Sequence, residues 1–273
     1  MLDLTSYERI INHLEVKETL DNRRLVLNWI STASQRVQDF LQRDLEIIAD
    51  RIEYSDVQPN QMAFMVQAFP IISIASVESD QLGLFTTSIS QYDYHPSFEG
   101  SSIELQFPIL EGRRALKYTY TGGLTYHATQ SIYVLSSVTN LAVGNYLEGQ
   151  SSYAVGKIKS INSTSVTVEV LLGKFQSGED LNSWNSKDLT GAVSGFSGVI
   201  SSVTRRCLAE EYPTIVTAVE MEIRFMKQHK LDFENVSSGK EGTRRRAGRF
   251  ESDTSELQPE VERMLYRYKR LTV

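Results

Sequence analysis

Cysteine is almost missing from this chain: Cys207 stands alone, so neither a disulfide framework nor a Cys-based zinc site can form within one copy. The residue is expected as a buried structural thiol. Histidine is nearly as scarce. His13, His95, His127 and His229 are scattered singly, whereas helix-borne metal sites need pairs three or four residues apart with a carboxylate. Asp93 beside His95 and the pair Glu210-Glu211 fall short of an oxygen cage. A GxxxxGK[ST] phosphate loop is absent, since Gly156-Lys157, Gly173-Lys174 and Gly239-Lys240 all lack the frame, and there is no GxGxxG turn. Gly191-Ala192-Val193-Ser194-Gly195 misses the GxSxG nucleophile elbow by one residue. No metal, no cofactor and no catalytic residue is therefore expected, and the chain is not read as an enzyme.

Positive charge is also short. Lys and Arg number 28 against 34 Asp and Glu, a net charge of −6, which argues against general coating of nucleic acid. Long apolar runs are lacking too. The longest uncharged run, Tyr118 to Leu147, is filled with Thr, Ser, Gly, Asn and Gln and cannot supply the roughly 20 apolar residues of a spanning helix. The opening MLDLTSYERI is acidic at once and has no apolar signal region, so synthesis and residence in the cytoplasm are expected.

What is present reads as a globular chain, 41% hydrophobic and 23% charged. Thr5 with Glu8 in capping-box position predicts a short helix carrying Ile10, Ile11 and Leu14. Leu25, Trp29, Ile30, Ala33, Val37, Phe40 and Leu41 recur at helical steps and predict a long helix over about 22–43. Strands are predicted within 47–54, 62–66, 70–75 and 115–121, where Leu116, Tyr118 and Tyr120 share a face and Gly122-Gly123 ends the run. Between about 128 and 205 the composition shifts to Gly, Ser, Thr, Asn and Val, with Val166, Val168 and Val170 alternating with Thr167 and Glu169. That stretch is expected to be a small all-β barrel or sandwich. Pro213 opens a helix continuing to about Lys230. Residues 232–258 read as a Ser-, Gly- and Arg-rich loop. Pro259 starts a closing amphipathic helix with Val261, Met264, Leu265 and Tyr268 on one face.

The order of these elements resembles the head–tail connector (adaptor, head-completion) proteins of tailed phages. The resemblance rests on a long helix ending in FLQRDL, strands around FPIISIASVES and LKYTYTGG, a helix opening at Pro213, and a terminal helix ending in LYRYKRL. It covers 1–127 and 206–273 and leaves 128–205 as an insertion. It implies an α+β fold: a helical connector core with a small β-sheet component and an inserted all-β domain. It further implies a structural virion protein of the neck, assembled as a ring of about 12 copies by heterologous contacts. Its neighbours would be the portal protein and a stopper or tail-completion protein, and DNA would pass through the channel without sequence readout.

Two features are expected to meet partners. The closing helix, through Val261, Met264, Leu265 and Tyr268, docks either in a partner's groove or back on the helix from Pro213. Residues 240–249 carry Lys240, Arg244, Arg245, Arg246 and Arg249 against Glu241, a local net of +4. Their arginines contact DNA phosphates, or acidic groups on another protein, or remain solvated. The competing functional reading is a nucleic-acid-binding packaging accessory protein acting through that basic segment.

Overall fold

The computed structural model describes residues 2–14, 19–80, 84–186, 188–237 and 257–269, of which 12–13 and 229–237 are described by their backbone only. The chain forms two compact units: Met1–Leu41 with His127–Lys269, and Gln42–Tyr126.

The first unit begins with α1 (Tyr7–Leu14) and α2 (Leu20–Leu41). Ser6, rather than Thr5, sits where a cap is needed: its hydroxyl accepts from the Arg9 N–H at 3.4 Å. The Thr5 hydroxyl instead donates to Glu220, and Glu8 pairs with Lys157. Tertiary partners thus take both capping-box side chains. Helix α2 buries Val26, Ile30, Ala33, Ser34, Val37 and Leu41, a stripe of three- and four-residue steps that only a helix aligns.

The second unit is all β. Its strands are β1 (Ile48–Val57), β2 (Ala63–Met65), β3 (Ile71–Ser79), β4 (Thr87–Ser88), β5 (Tyr94–Pro96), β6 (Ser102–Leu105) and β7 (Gly112–Gly122). They form a four-stranded sheet in the order β1-β7-β3-β4 and a three-stranded sheet in the order β2-β6-β5. Both sheets contribute to one core, which includes Phe64, Val77, Ile103, Leu105, Leu116, Tyr118 and Tyr120. The two tyrosines can be buried because their hydroxyls find partners. Tyr120 donates to Glu53 at 2.6 Å and accepts from the Ala68 N–H at 3.0 Å; Tyr118 reaches Ser55 at 2.9 Å. Arg51 holds Glu53 at 2.6 Å and Asp44 at 2.5 Å.

The chain then returns to the first unit as β8 (Gln130–Leu135), β9 (Tyr146–Gly149), β10 (Val155–Asn162), β11 (Ser165–Leu172), β12 (Asp180–Trp184) and β13 (Gly198–Arg205). These close into an antiparallel barrel in the order β10-β11-β8-β13-β12-β9. Closure leaves no free strand edge. Tyr133, Leu135, Leu147, Ile158, Val166, Val168, Val170, Leu181 and Ile200 are buried, and Phe175 meets the Tyr133 ring edge-on at 5.4 Å. The unit ends with α3 (Leu208–Glu211), α4 (Pro213–Ser237), α5 (Pro259–Leu265) and a 3-10 turn at Tyr266–Tyr268. Helix α4 packs against α2, α3 and α5.

This architecture corrects the expected helical core with a small β component. The chain is mostly β, 37% strand against 25% helix, and is built around a closed six-stranded barrel. The reason lies in 42–126. Its seven strands include pieces of two to four residues, too short to show an alternation, and its longest strands pair across tens of residues, Ile52 with Thr119 for instance.

Candidate assembly surfaces

Polar side chains in the first unit converge where the barrel meets the helices, and they are committed to one another. Glu210, with a fully buried side chain, accepts from the Ser131 hydroxyl at 2.6 Å, the Phe175 N–H at 2.9 Å and Arg206 at 3.1 Å. The Ser131 oxygen in turn accepts the Cys207 N–H at 2.9 Å. Arg9 pairs with Glu220 at 2.9 Å and donates to the carbonyls of Val170 and Leu171 at 3.0 and 2.9 Å, tying α1 and α4 to β11. Arg36 pairs with the buried Glu222 at 2.7 Å. A groove of about 550 Å³ lies beside Arg9, Leu172, Met221 and Arg224. Its two carboxylates, Glu210 and Glu220, are already bonded, so the arrangement fastens elements together.

Burial pushes the Tyr133 hydroxyl well above the ordinary tyrosine range, with Glu210 adding to it, and pushes the Cys207 thiol above its ordinary 9.0. Tyr120 in the second unit rises for the same reason, reinforced by its bond to Glu53. Each group therefore keeps its proton in the fold at a pH where the unfolded chain has lost it. The stability they contribute is fully present below pH 9.0 and is lost as pH rises through and beyond 10.0, the ordinary thiol and tyrosine values. The melting temperature should be level from pH 7 to about 8.5 and fall steadily above about 9, with tyrosinate absorbance from the buried rings appearing only on unfolding. A flat alkaline profile would contradict this assignment.

The second unit presents a different surface. Of the 17 large apolar side chains exposed among the described residues, 11 belong to 42–126, including Ile52, Tyr54, Ile72, Tyr92, Phe98 and Leu110. Register places Ile52 and Tyr54 opposite Thr119 and Lys117, so they stand on the face of the sheet turned away from Tyr118 and Tyr120. The same stretch holds 11 Asp and Glu against 5 Lys and Arg, a net of −6, and Asp50, Asp56, Glu99 and Glu111 are exposed. β1 and β2 end their respective sheets. Beside them opens a cleft of about 620 Å³, lined by Tyr54, Ser55, Asp56, Ala63, Phe64 and Met65.

The residues singled out from sequence fall elsewhere. Val261 and Leu265 are 1% and 0% exposed, in a helix packed on the chain's own α4. Met264 and Tyr268 are half-buried, with the Tyr268 ring edge-on to Tyr212 at 6.1 Å. Arg267 donates to Thr214 at 2.9 Å. Of the two alternatives for this helix, packing on the helix from Pro213 is the one observed. Arg244, Arg245, Arg246 and Arg249 lie outside the described residues, as does the side chain of His13 and of His229. The His127 ring nitrogen accepts the N–H groups of Thr129 and Gln130, and His95 makes a surface pair with Glu104 at 3.4 Å. Among the described residues no group of His, Cys, Asp and Glu is arranged to hold a metal ion, and no helix is long and apolar enough to cross a membrane.

Sequence reasoning missed the surface of 42–126. Its acidity was countable, but its exposed apolar residues carry the same letters as core residues and gave no separate signal. No protein-family model matches this chain, and no curated protein sequence does.

Proposed function

We propose that the chain is a structural assembly subunit, and that the assembly is the head–tail connector of a tailed phage, in which copies form a ring bound to the portal and to the next neck component. The single observation that supports assembly is the concentration of exposed apolar side chains on 42–126. Single exposed apolar residues are ordinary, but many gathered on one small unit are what a protein shows when a partner covers them. The connector itself rests on the order of elements quoted from the sequence and not on a helical core. No residue is assigned a catalytic role. The committed ion pairs suit this reading, since a load-carrying ring gains from rigid subunits.

Light scattering on the intact chain, alone and mixed with the portal protein of the same genome, tests the proposal. A ring, or a stable complex with the portal, is the expected result. A single-chain mass in both samples at up to about 100 µM, the weak end of specific association, would overturn it. Salt-dependent binding to duplex DNA that disappears on replacing Arg244, Arg245 and Arg246 by alanine would favour the packaging accessory reading.

A further inference from the structure

We propose that the basic segment of one copy docks on the acidic β unit of a second copy, with the arginines at 244–246 and 249 lying along the open cleft between β1 and β2. This rests on the assembly reading above and names the contact that makes it.

Three observations converge on it. The first is charge. Residues 42–126 carry a net of −6, equal to that of the whole chain, so everything outside them sums to zero. Two stretches carry a dense charge of opposite sign, 240–249 at +4 and 263–270 at +4. The second lies largely on the closing helix, which packs on its own α4, and this leaves the first to face the acidic unit. Arginine is the cation best suited to such a site, because its guanidinium pairs with carboxylates in two directions and lies on aromatic rings. The second unit already uses it so: Arg114 sits over the Tyr54 ring at 4.3 Å.

The second observation is the cleft. It offers an exposed carboxylate at Asp56, the exposed Tyr54 ring with Arg114 and Phe85 already against it, and apolar walls at Phe64 and Met65. It is bounded by the outer edges of two strands, β1 and β2, each paired on one side only. Backbone N–H and C=O groups on such edges are where an incoming chain bonds without disturbing the fold. Phe250 follows the basic block directly and gives the occupant an apolar group to match the walls.

The third is reach. The segment 238–256 leaves from the end of α4 and returns at Leu257, which is buried in the first unit. A stretch of that length can extend about 30 Å out and back, far enough to meet a neighbouring molecule. Electrostatic attraction of this kind selects and orients a partner.

The deciding experiment combines charge reversal with cross-linking on the full chain. Replacing Arg244, Arg245 and Arg246 by Glu should weaken self-association by about tenfold or more at low salt. So should the set Asp50→Lys, Asp56→Asn and Glu111→Lys, in which Asn at 56 can still accept the Arg114 N–H. Mixing the two variants should restore association between unlike copies. In parallel, Ala247→Cys on one copy and Ala63→Cys on another should cross-link when mixed, Ala63 being exposed in the cleft. Any link between them is then necessarily between copies.

If the chain assembles but the arginine variant assembles as well as the original and the mixed cysteines do not link, this inference fails while the assembly reading stands. If the link forms only when both cysteines sit on one chain, the segment docks on its own copy and the inference fails in that way. If the original chain neither self-associates nor binds the portal, both readings fall. Should the acidic-side variant fold poorly, the arginine variant and the cross-link still decide.

Discussion

Replacing Gly123 with alanine is expected to cost the β unit at least ~3 kcal/mol. Gly123 has φ +129, and a Cβ built there would lie 2.4 Å from the Glu46 carbonyl oxygen and 2.8 Å from the Ile47 nitrogen. Both penalties act on backbone, which cannot swing aside as a side chain can. The neighbouring bonds make the site rigid: the Gly123 N–H donates to Pro70 at 3.1 Å, the N–H groups of Leu124 and Thr125 donate to Leu45, and the Ile47 N–H donates to Thr125 at 2.6 Å. Gly144→Ala is the control. Its φ is also positive, at +96, but nothing lies within 4 Å of its Cβ, so only the conformational cost of ~1–2 kcal/mol remains. Near-ultraviolet circular dichroism of the tyrosines packed in the β unit, followed during urea unfolding, reads the loss at Gly123, and tryptophan fluorescence, which comes from the unit that holds Gly144, reads the control. Equal losses from the two variants would mean that the close approach to Glu46 is not what requires glycine.

Glu210→Ala should be comparably damaging in the first unit, with a loss of ~3–5 kcal/mol. It removes the acceptor of three donors at once and leaves the Phe175 N–H buried with none, while Arg206 keeps only Glu211 and the Phe175 carbonyl. It also opens a space beside Phe175 and Tyr133. Glu210→Gln keeps the shape and one acceptor oxygen, so it should cost less, ~1–2 kcal/mol. Both tryptophans, Trp29 in α2 and Trp184 in β12, belong to this unit. Tryptophan fluorescence during denaturation therefore follows it directly. An unchanged midpoint for Glu210→Ala would remove Glu210 as the fastener between barrel and helices.

The candidate surface was only partly legible. A segment-by-segment charge count already separates 42–126 from the basic 240–249. Exposure is another matter: Ile52 and Ile72 fall in predicted strands, whose letters do not say which face is covered, and they are 53% and 54% exposed. Whether an alternating residue faces a core depends on which side the second sheet covers, and that is decided by pairing at a distance. The closing helix shows the same limit in reverse. Its stripe of Val261, Leu265 and Tyr268 announces that something must cover it, but periodicity does not say whose helix does so.

What the sequence by itself determined are the local elements. The helical step of α2, the starts at Pro213 and Pro259, the alternation Val166-Val168-Val170 in β11 and the stop at Gly122-Gly123 all follow from backbone sterics and side-chain spacing within a few residues. Only the tertiary structure decided that β7 lies between β1 and β3, that six strands close on themselves, that Ser6 caps α1 because Thr5 and Glu8 are taken by Glu220 and Lys157, and which apolar side chains stay outside. Those outcomes depend on contacts between residues tens to hundreds of positions apart, whose formation is driven by burial summed over the whole unit and leaves no periodic mark on any one segment.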